Sequence, residues 1–284
     1  MVDAEHALPA LLSAATADFG RAGIADPRRE AIRLWSDIRS LAPAQAIMAG
    51  DVAVTTEEAE RFVNAAQRRA AGEPLAYVSG WTGFRRLTLH CDRRALIPRP
   101  ETEGLVELAL ARVRHGVAAD IGTGTGAIAL ALRDEGEFDE VIGVDLSADA
   151  LALASANGQA TGRHVTWMLG DLVAPLRGDS LDLLVSNPPY LTRGEHDTLD
   201  HSVRDYEPAM ALVGGDDGQA IVNRLIHDAR RVVRRDGWML LEADCRRVAE
   251  NARVAAAEGW QDVSVQEDLF GRARYLLARR GSES

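Results

Sequence analysis

The sequence predicts an α/β protein: a doubly wound, mostly parallel sheet with an antiparallel edge, preceded by a small helical domain. Three observations carry this reading. From Val117 onward, short apolar strands alternate with helical stretches, the pattern that builds a parallel sheet covered by helices. A glycine-rich stretch, Gly122 to Gly126, lies between the first of those strands and the helix that follows. Residues 1–72, by contrast, show apolar positions at helical spacing. A length of 284 residues leaves room for one large or two modest domains. We divide the chain into a helical domain over 1–72, a β-hairpin linker over 73–97 and an α/β domain over 98–284.

In the helical domain, Leu8, Leu11, Leu12 and Ala15 form one apolar stripe, and Ala31, Ile32, Leu34, Trp35 and Ile38 form another. Pro9 fits a first helical turn, and Pro27 after Asp26 fits a helix start. Thr55-Thr56-Glu57-Glu58 places acids in the first turn of a third helix. In the linker, Gly80, Trp81, Gly83 and Phe84 precede the alternating Leu87-Thr88-Leu89-His90-Cys91, which reads as a hairpin. A helix is expected over 101–113, strands over 117–121, 140–144, 165–169, 181–186 and 238–242, and helices over 127–133, after Ser147 and over 218–235. Two antiparallel edge strands are expected over 263–266 and 274–278, and a loose tail over 281–284.

Composition narrows the function. Hydrophobic residues make up 46% and charged residues 26%, as in globular proteins with a sizeable core. Asp3 and Glu5 stand where a signal peptide would be basic, and no run of about 18 apolar residues exists, so neither a signal peptide nor a transmembrane helix is expected. Cys91 and Cys245 are the only cysteines and lack metal-type spacing, which suits a reducing cytoplasm. A net charge of −11 argues against, without excluding, a grip on nucleic acid through many phosphates. All 32 basic residues are Arg; without Lys, Schiff-base catalysis and a Walker-type phosphate loop are excluded.

The stretch Asp120-Ile121-Gly122-Thr123-Gly124-Thr125-Gly126, with Ala127 after it, satisfies a fingerprint shared by dinucleotide-binding and S-adenosylmethionine-binding folds. Asp145 ends the next strand, where an acid can accept a bond from a ribose hydroxyl. A carboxylate at Asp120 would repel a pyrophosphate and suit the amino group of a methionine moiety, which favours S-adenosyl-L-methionine. A tight turn without a ligand is the plainer alternative. Asp120, Asp145, Asp171 and Asn187 all fall near strand C-termini, the rim at which such folds bind ligands. Asp171 after Gly170 also reads as a simple turn.

Asn187-Pro188-Pro189-Tyr190 follows an apolar strand. As a bland motif it is a turn. As chemistry it suits a planar amide or amino nitrogen. That nitrogen has a delocalised lone pair and two N–H groups. The Asn187 side-chain oxygen and the Pro188 carbonyl can each accept one, aiming the nitrogen at a sulfonium methyl. The prolines stiffen the loop, and the Tyr190 ring offers a stacking face.

These segments, in order with Gly72-Glu73-Pro74-Leu75-Ala76-Tyr77 and Leu96-Ile97-Pro98-Arg99-Pro100-Glu101-Thr102-Glu103, resemble the HemK/PrmC family, the peptide chain release factor N(5)-glutamine methyltransferases. The resemblance runs over residues 72–279 and takes in Glu207-Pro208, Gly214-Gly215-Asp216-Asp217-Gly218 and Asp268-Leu269-Phe270-Gly271-Arg272. It implies a class I methyltransferase fold, a helical domain that helps grip a release factor, and methyl transfer to the Gln amide of a Gly-Gly-Gln motif. It further implies cofactor contacts at Gly122 through Gly126, Asp145, Leu172 and Asn187, and substrate contacts at Asn187 through Tyr190. The Pro-Arg-Pro-Glu-Thr stretch is more similar to the release-factor enzymes than to their ribosomal-protein relatives. Gln219, where the family has an apolar residue, and Glu242-Ala243-Asp244, which lacks the family's glycine, are departures.

Two other readings stay open at this point: a nucleic-acid adenine or cytosine amino-methyltransferase, which shares the tetrapeptide logic, and a non-catalytic adaptor. A nicotinamide dehydrogenase leaves the tetrapeptide unexplained. The expected partners are release factors, with no membrane and no direct nucleic-acid substrate. Glu195, His196, Asp197, Asp200 and His201 lack metal spacing and read as a solvated loop. Arg230, Arg231, Arg234 and Arg235 read as a helix C-terminus, and Trp35 and Trp167 as core.

Overall fold

The computed structural model describes residues 7–39 and 54–281; the expected tail falls outside them from residue 282 onward. The chain divides into two units, residues 1–81 with 200–206, and residues 82–199 with 207–284.

In the first unit, α1 (Leu8–Arg21), α2 (Pro27–Arg39) and α3 (Thr56–Ala70) start where the sequence places them. Pro9 sits in the first turn of α1. Thr55 and Glu58 form a reciprocal capping box on α3, with bonds of 3.2 and 3.0 Å. The apolar stripes meet around Phe19, Leu34, Trp35 and Phe62, all buried, and Trp35 meets Phe62 edge to face at 5.6 Å. Part of the expected linker is helical instead: Leu75–Ser79 forms a short helix that ends at Gly80, φ 81°. Its entry is fixed by Glu73, which accepts two bonds from Arg68 at 2.9 and 2.7 Å. The hairpin follows as β1 (Trp81–Phe84) and β2 (Leu87–His90).

The second unit is built on β3 (His115–Ile121), β4 (Glu137–Asp145), β5 (Thr166–Leu169), β6 (Leu181–Ser186), β7 (Val233–Glu242), β8 (Trp260–Glu267) and β9 (Ala273–Arg280). Their order is β5-β4-β3-β6-β7-β9-β8, parallel except that β9 runs antiparallel to both of its neighbours. Alternation along the strands feeds two cores. Ala118, Leu183 and Leu240 join α4 (Pro100–Leu110) and α5 (Ala127–Glu135) on one face. Ala119, Leu184 and Leu241 join α7 (Ala220–Val232) on the other. α6 (Ala148–Thr161) starts at Ser147, whose hydroxyl accepts from the Ala150 N–H as expected. Trp167 is partly buried against the first of these cores.

Three local readings are corrected. The helix expected to reach residue 235 ends at Val232, and β7 begins at Val233 rather than 238. Val233 already pairs with Leu181, and an irregularity containing Asp236, φ 63°, carries the strand on to Trp238 opposite Leu183. Arg234 and Arg235 therefore lie in a strand, Arg234 paired with Asp182. α8 (Val248–Ala257) was not anticipated, although Val248, Asn251 and Ala255 are buried at helical spacing. The stretch read as a solvated loop holds two short helices, Arg193–Asp197 and His201–Arg204; the first carries a Thr192–Glu195 capping box. Among the described residues no group of His, Cys, Asp and Glu could hold a metal ion.

Candidate active site

The register of the parallel strands assembles one rim. Asp120 lies between Gly143 and Val185, and Asp145 opposite Leu169. Ser186 pairs with Leu241, so Asn187, the first residue after β6, follows beside Glu242, the last residue of β7.

The glycine loop is shaped from within. Gly122 and Gly124 adopt φ of 72° and 55°, a region that disfavours other residues. The N–H groups of Gly122 and Thr123 donate to the Val144 carbonyl at 2.8 and 3.0 Å. Asp120 is fully buried; its Oδ2 accepts from the Thr123 hydroxyl at 2.6 Å and the Ala129 N–H at 3.1 Å. Its Oδ1 has no partner among the described residues. Burial pushes the Asp120 carboxyl up to about 7, against the pull of those two donors. Asp145 accepts from the Gly124 N–H at 2.8 Å and the Ser147 N–H at 2.9 Å, one on each oxygen. Each oxygen keeps a lone pair for a ligand hydroxyl. Asn157, buried on α6, donates to the Thr125 carbonyl at 2.9 Å and braces the loop from behind.

In front of the loop opens a cavity of 330 Å³. Gly122, Gly124, Asp145, Asp171, Leu172, Asn187 and Pro189 line it, together with apolar Leu146, Met210 and Ile221. Asp120, Thr123, Thr125, Gly126, Pro188 and Tyr190 are not on its wall. Of these, Thr123 and Thr125 are buried, and a Cβ on Gly126, φ 83°, would meet Trp167 at 2.9 Å. Asp171 pairs with Arg224 at the cavity edge.

The tetrapeptide is held by three separate contacts. The Asn187 amide donates through Nδ2 to the Thr102 hydroxyl at 3.1 Å, and that hydroxyl donates to Glu242 Oε2 at 2.8 Å. Glu242 is buried, and burial pushes its carboxyl up to about 7. Gly214 and Gly218, the outer glycines of Gly214-Gly215-Asp216-Asp217-Gly218, cradle the loop backbone. A Cβ on Gly214 would lie 2.3 Å from the Pro189 carbonyl oxygen, and one on Gly218 would lie 2.5 Å from that of Tyr190. Arg247 donates to the Tyr190 carbonyl at 3.4 Å while pairing with Glu195 at 2.6 Å. Burial pushes the Tyr190 phenol up to about 12, with the nearby Glu242 adding to it.

Sequence reasoning missed Thr102 and Glu242 as site residues. The rule that picked out Asp120, Asp145, Asp171 and Asn187, a polar residue at a strand C-terminus, also picks out Glu242 at the end of β7. Glu207 has a structural reason as well: it accepts from the Ile97 N–H at 3.1 Å and from Arg99 at 2.6 Å, fixing the stretch that leads to Thr102. Both departures are compensated. Gln219 accepts from the buried Asn251 at 2.7 Å, and Asp244 is paired by Arg246 and Arg247.

The chain matches the PrmC N-terminal domain over residues 10–80 and the methyltransferase small domain over residues 102–204. It is 38% identical over 273 residues to the release factor glutamine methyltransferase of Deinococcus radiodurans, covering 95% of this chain and 97% of that protein. With the release factor glutamine methyltransferase of Mycolicibacterium smegmatis it shares 36% over 281 residues, covering 96% and 98%. The chain belongs to the release factor glutamine methyltransferase family. As a member of that family it is an enzyme of the S-adenosylmethionine-dependent methyltransferase class. Solved structures agree on the fold: a methyltransferase from Pyrococcus furiosus (18% identity, TM-score 0.54, covering 69% of this chain and 90% of that one) and a ribosomal protein L11 methylase from Lactobacillus delbrueckii subsp. bulgaricus (21%, 0.50, covering 66% and 82%).

Proposed function

We propose that this enzyme transfers a methyl group from S-adenosyl-L-methionine to the side-chain amide nitrogen of the glutamine in the Gly-Gly-Gln motif of peptide chain release factors. The observation that carries the reading is the placement of Asn187. It lines the cavity in front of the glycine loop, and its Nδ2 is already spent on Thr102. Its Oδ1 is left to accept from an amide N–H.

The cavity fits the donor. Asp145 retains acceptor capacity for ribose hydroxyls, and Leu146, Leu172 and Met210 offer apolar walls for a base. The unpartnered Oδ1 of Asp120 suits the ammonium of the methionine moiety. When bound, S-adenosylmethionine supplies an electrophilic methyl on sulfonium sulfur. The protein's own contribution is positioning and electrostatics. Asn187 Oδ1 and the Pro188 carbonyl accept the two amide protons, fixing the nitrogen and drawing electron density toward it. Tyr190 stacks on the amide plane. Methylation makes the nitrogen more acidic, so its proton leaves to water without a strong dedicated base. The helical domain grips the release factor, and the reaction takes place in the cytoplasm, where release factors work.

The test is methyl incorporation from labelled cofactor into purified release factor, duplex DNA and RNA in parallel. Label in the release factor alone is expected. Label only in nucleic acid would replace this reading with base methylation. Lack of cofactor binding by calorimetry would leave an adaptor.

A further inference from the structure

We propose that Thr102 and Glu242 are positioning residues that fix which way the Asn187 side-chain amide faces, a role that rests on the methyl-transfer reading above. An asparagine amide has an accepting end and a donating end of nearly the same shape, so rotation by 180° about its last bond exchanges them. Only one orientation serves a substrate amide, whose nitrogen carries protons and needs an acceptor. The other turns N–H toward N–H.

The polarity is set at the far end of the chain of bonds. An ionised carboxylate accepts only, so Glu242 takes the single hydroxyl proton of Thr102, at 2.8 Å. With that proton committed, Thr102 offers Asn187 lone pairs alone. Asn187 must therefore present Nδ2 to Thr102, as it does at 3.1 Å, and its Oδ1 to the other side. The reverse orientation would set two acceptors face to face. Thr102 and Glu242 are both buried, so water does not readily take over either role. The other charged and titratable groups around Glu242 are Arg274 on β9, whose guanidinium lies 3.8 Å from Oε1, Glu101 beside Thr102, Asp268 in the β8–β9 turn, and Tyr190 and Tyr275. Arg274 is shared with Asp268, which accepts from it at 2.8 Å. The bond that leads from Glu242 to Asn187 runs through Thr102.

Protonation reverses the logic. A neutral Glu242 can donate to the Thr102 oxygen, which frees the hydroxyl proton to turn toward Asn187 and favours the wrong orientation. Because burial holds this carboxyl near 7, the change falls within a range accessible to assay.

The experiment compares T102V, T102S and E242Q with the unaltered enzyme, using purified release factor and S-adenosylmethionine. T102V keeps the volume and removes the hydroxyl. Its kcat should fall on the order of tenfold, the effect of leaving one amide end unpaired, with KM for the release factor and the cofactor Kd within about twofold. T102S keeps the hydroxyl and should recover most of the loss. The kcat of the unaltered enzyme should fall below about pH 7, whereas E242Q, which cannot titrate, should lose that acid limb. Wild-type kcat in T102V, or an unchanged acid limb in E242Q, would overturn the proposal while leaving the methylation reading intact. If T102V does not fold, the E242Q profile alone decides. If the unaltered enzyme labels no release factor, both readings fall.

Discussion

Two buried carboxylates stand at the same rim, and they find their donors in different ways. Asp120 meets its donors locally: Thr123 is three residues away and Ala129 nine. Glu242 meets its donor, Thr102, across 140 residues of chain. Burial raises both carboxyls to about 7. In the proposed reading, Asp120 shapes the loop that faces the cofactor, and Glu242 acts through Thr102 on the side chain that faces the substrate. The cofactor half of the rim is thus a local motif, whereas the substrate half exists only when distant elements meet. This difference predicts that damage to one half should appear in cofactor affinity and damage to the other in turnover.

The largest effect is expected at the junction of the two halves. Asn187→Ala should lower turnover on the order of 10²–10³-fold, the usual loss for removing one group that stabilises a transition state. Cofactor binding, measured by calorimetry, should weaken far less. Near-normal turnover in this variant would break the comparison at its centre.

Asp120→Asn sharpens the contrast. The amide oxygen can still accept from Thr123 and Ala129, but the charge is lost. Cofactor Kd should weaken about tenfold, as for one charged hydrogen bond, while kcat at saturating cofactor stays within a few-fold. Loss of kcat with unchanged Kd would assign Asp120 to the wrong half.

Stability should follow the same two groups. Folded pKa values raised to about 7, from 3.8 for Asp120 and 4.5 for Glu242, mean that the folded state holds these protons more tightly than the unfolded chain. The stabilisation is fully present below about pH 4 and is lost as pH rises through 7, with an upper bound of about 3–4 kcal/mol per group. Thermal unfolding should therefore shift downward between pH 6 and pH 8, and E242Q should remove part of that shift. A rise over the same interval would contradict the burial argument.

The smallest effect concerns Gln219 and Asn251. Asn251→Leu removes the donor to the Gln219 carbonyl at 2.7 Å and to Asn223 Oδ1 at 3.3 Å and should cost about 1–3 kcal/mol, whereas adding Gln219→Leu should recover part of that loss, as measured by denaturant unfolding. Equal losses in the single and double variants would mean that the pair is not coupled.

What the sequence disclosed follows the same division. The glycine loop, Asp145 and the tetrapeptide were legible because strand, turn and helix signals sit within a few residues of one another. The strand ends also placed Asn187 at the rim. The Thr102–Glu242 contact was not legible, because it depends on the parallel register of β6 and β7 and on where α4 packs. The role of Gly214 and Gly218 was hidden for the same reason: the obstacle to a side chain there is backbone of residues 189 and 190. Helix α8 was visible in its apolar spacing and was overlooked. The early start of β7 was masked by the Arg-rich stretch 230–235, which reads equally well as a helix end.

In the proposed reading, the rim holds a glutamine amide nitrogen for methylation, with Asn187 as its acceptor. The most direct measurement is fragment mass analysis of a release factor incubated with enzyme and labelled S-adenosylmethionine. One methyl group on the side-chain amide of the Gly-Gly-Gln glutamine, absent when Asn187→Ala replaces the enzyme, is the predicted result. A methyl on any other residue, or undiminished labelling by the Asn187→Ala variant, would contradict the account.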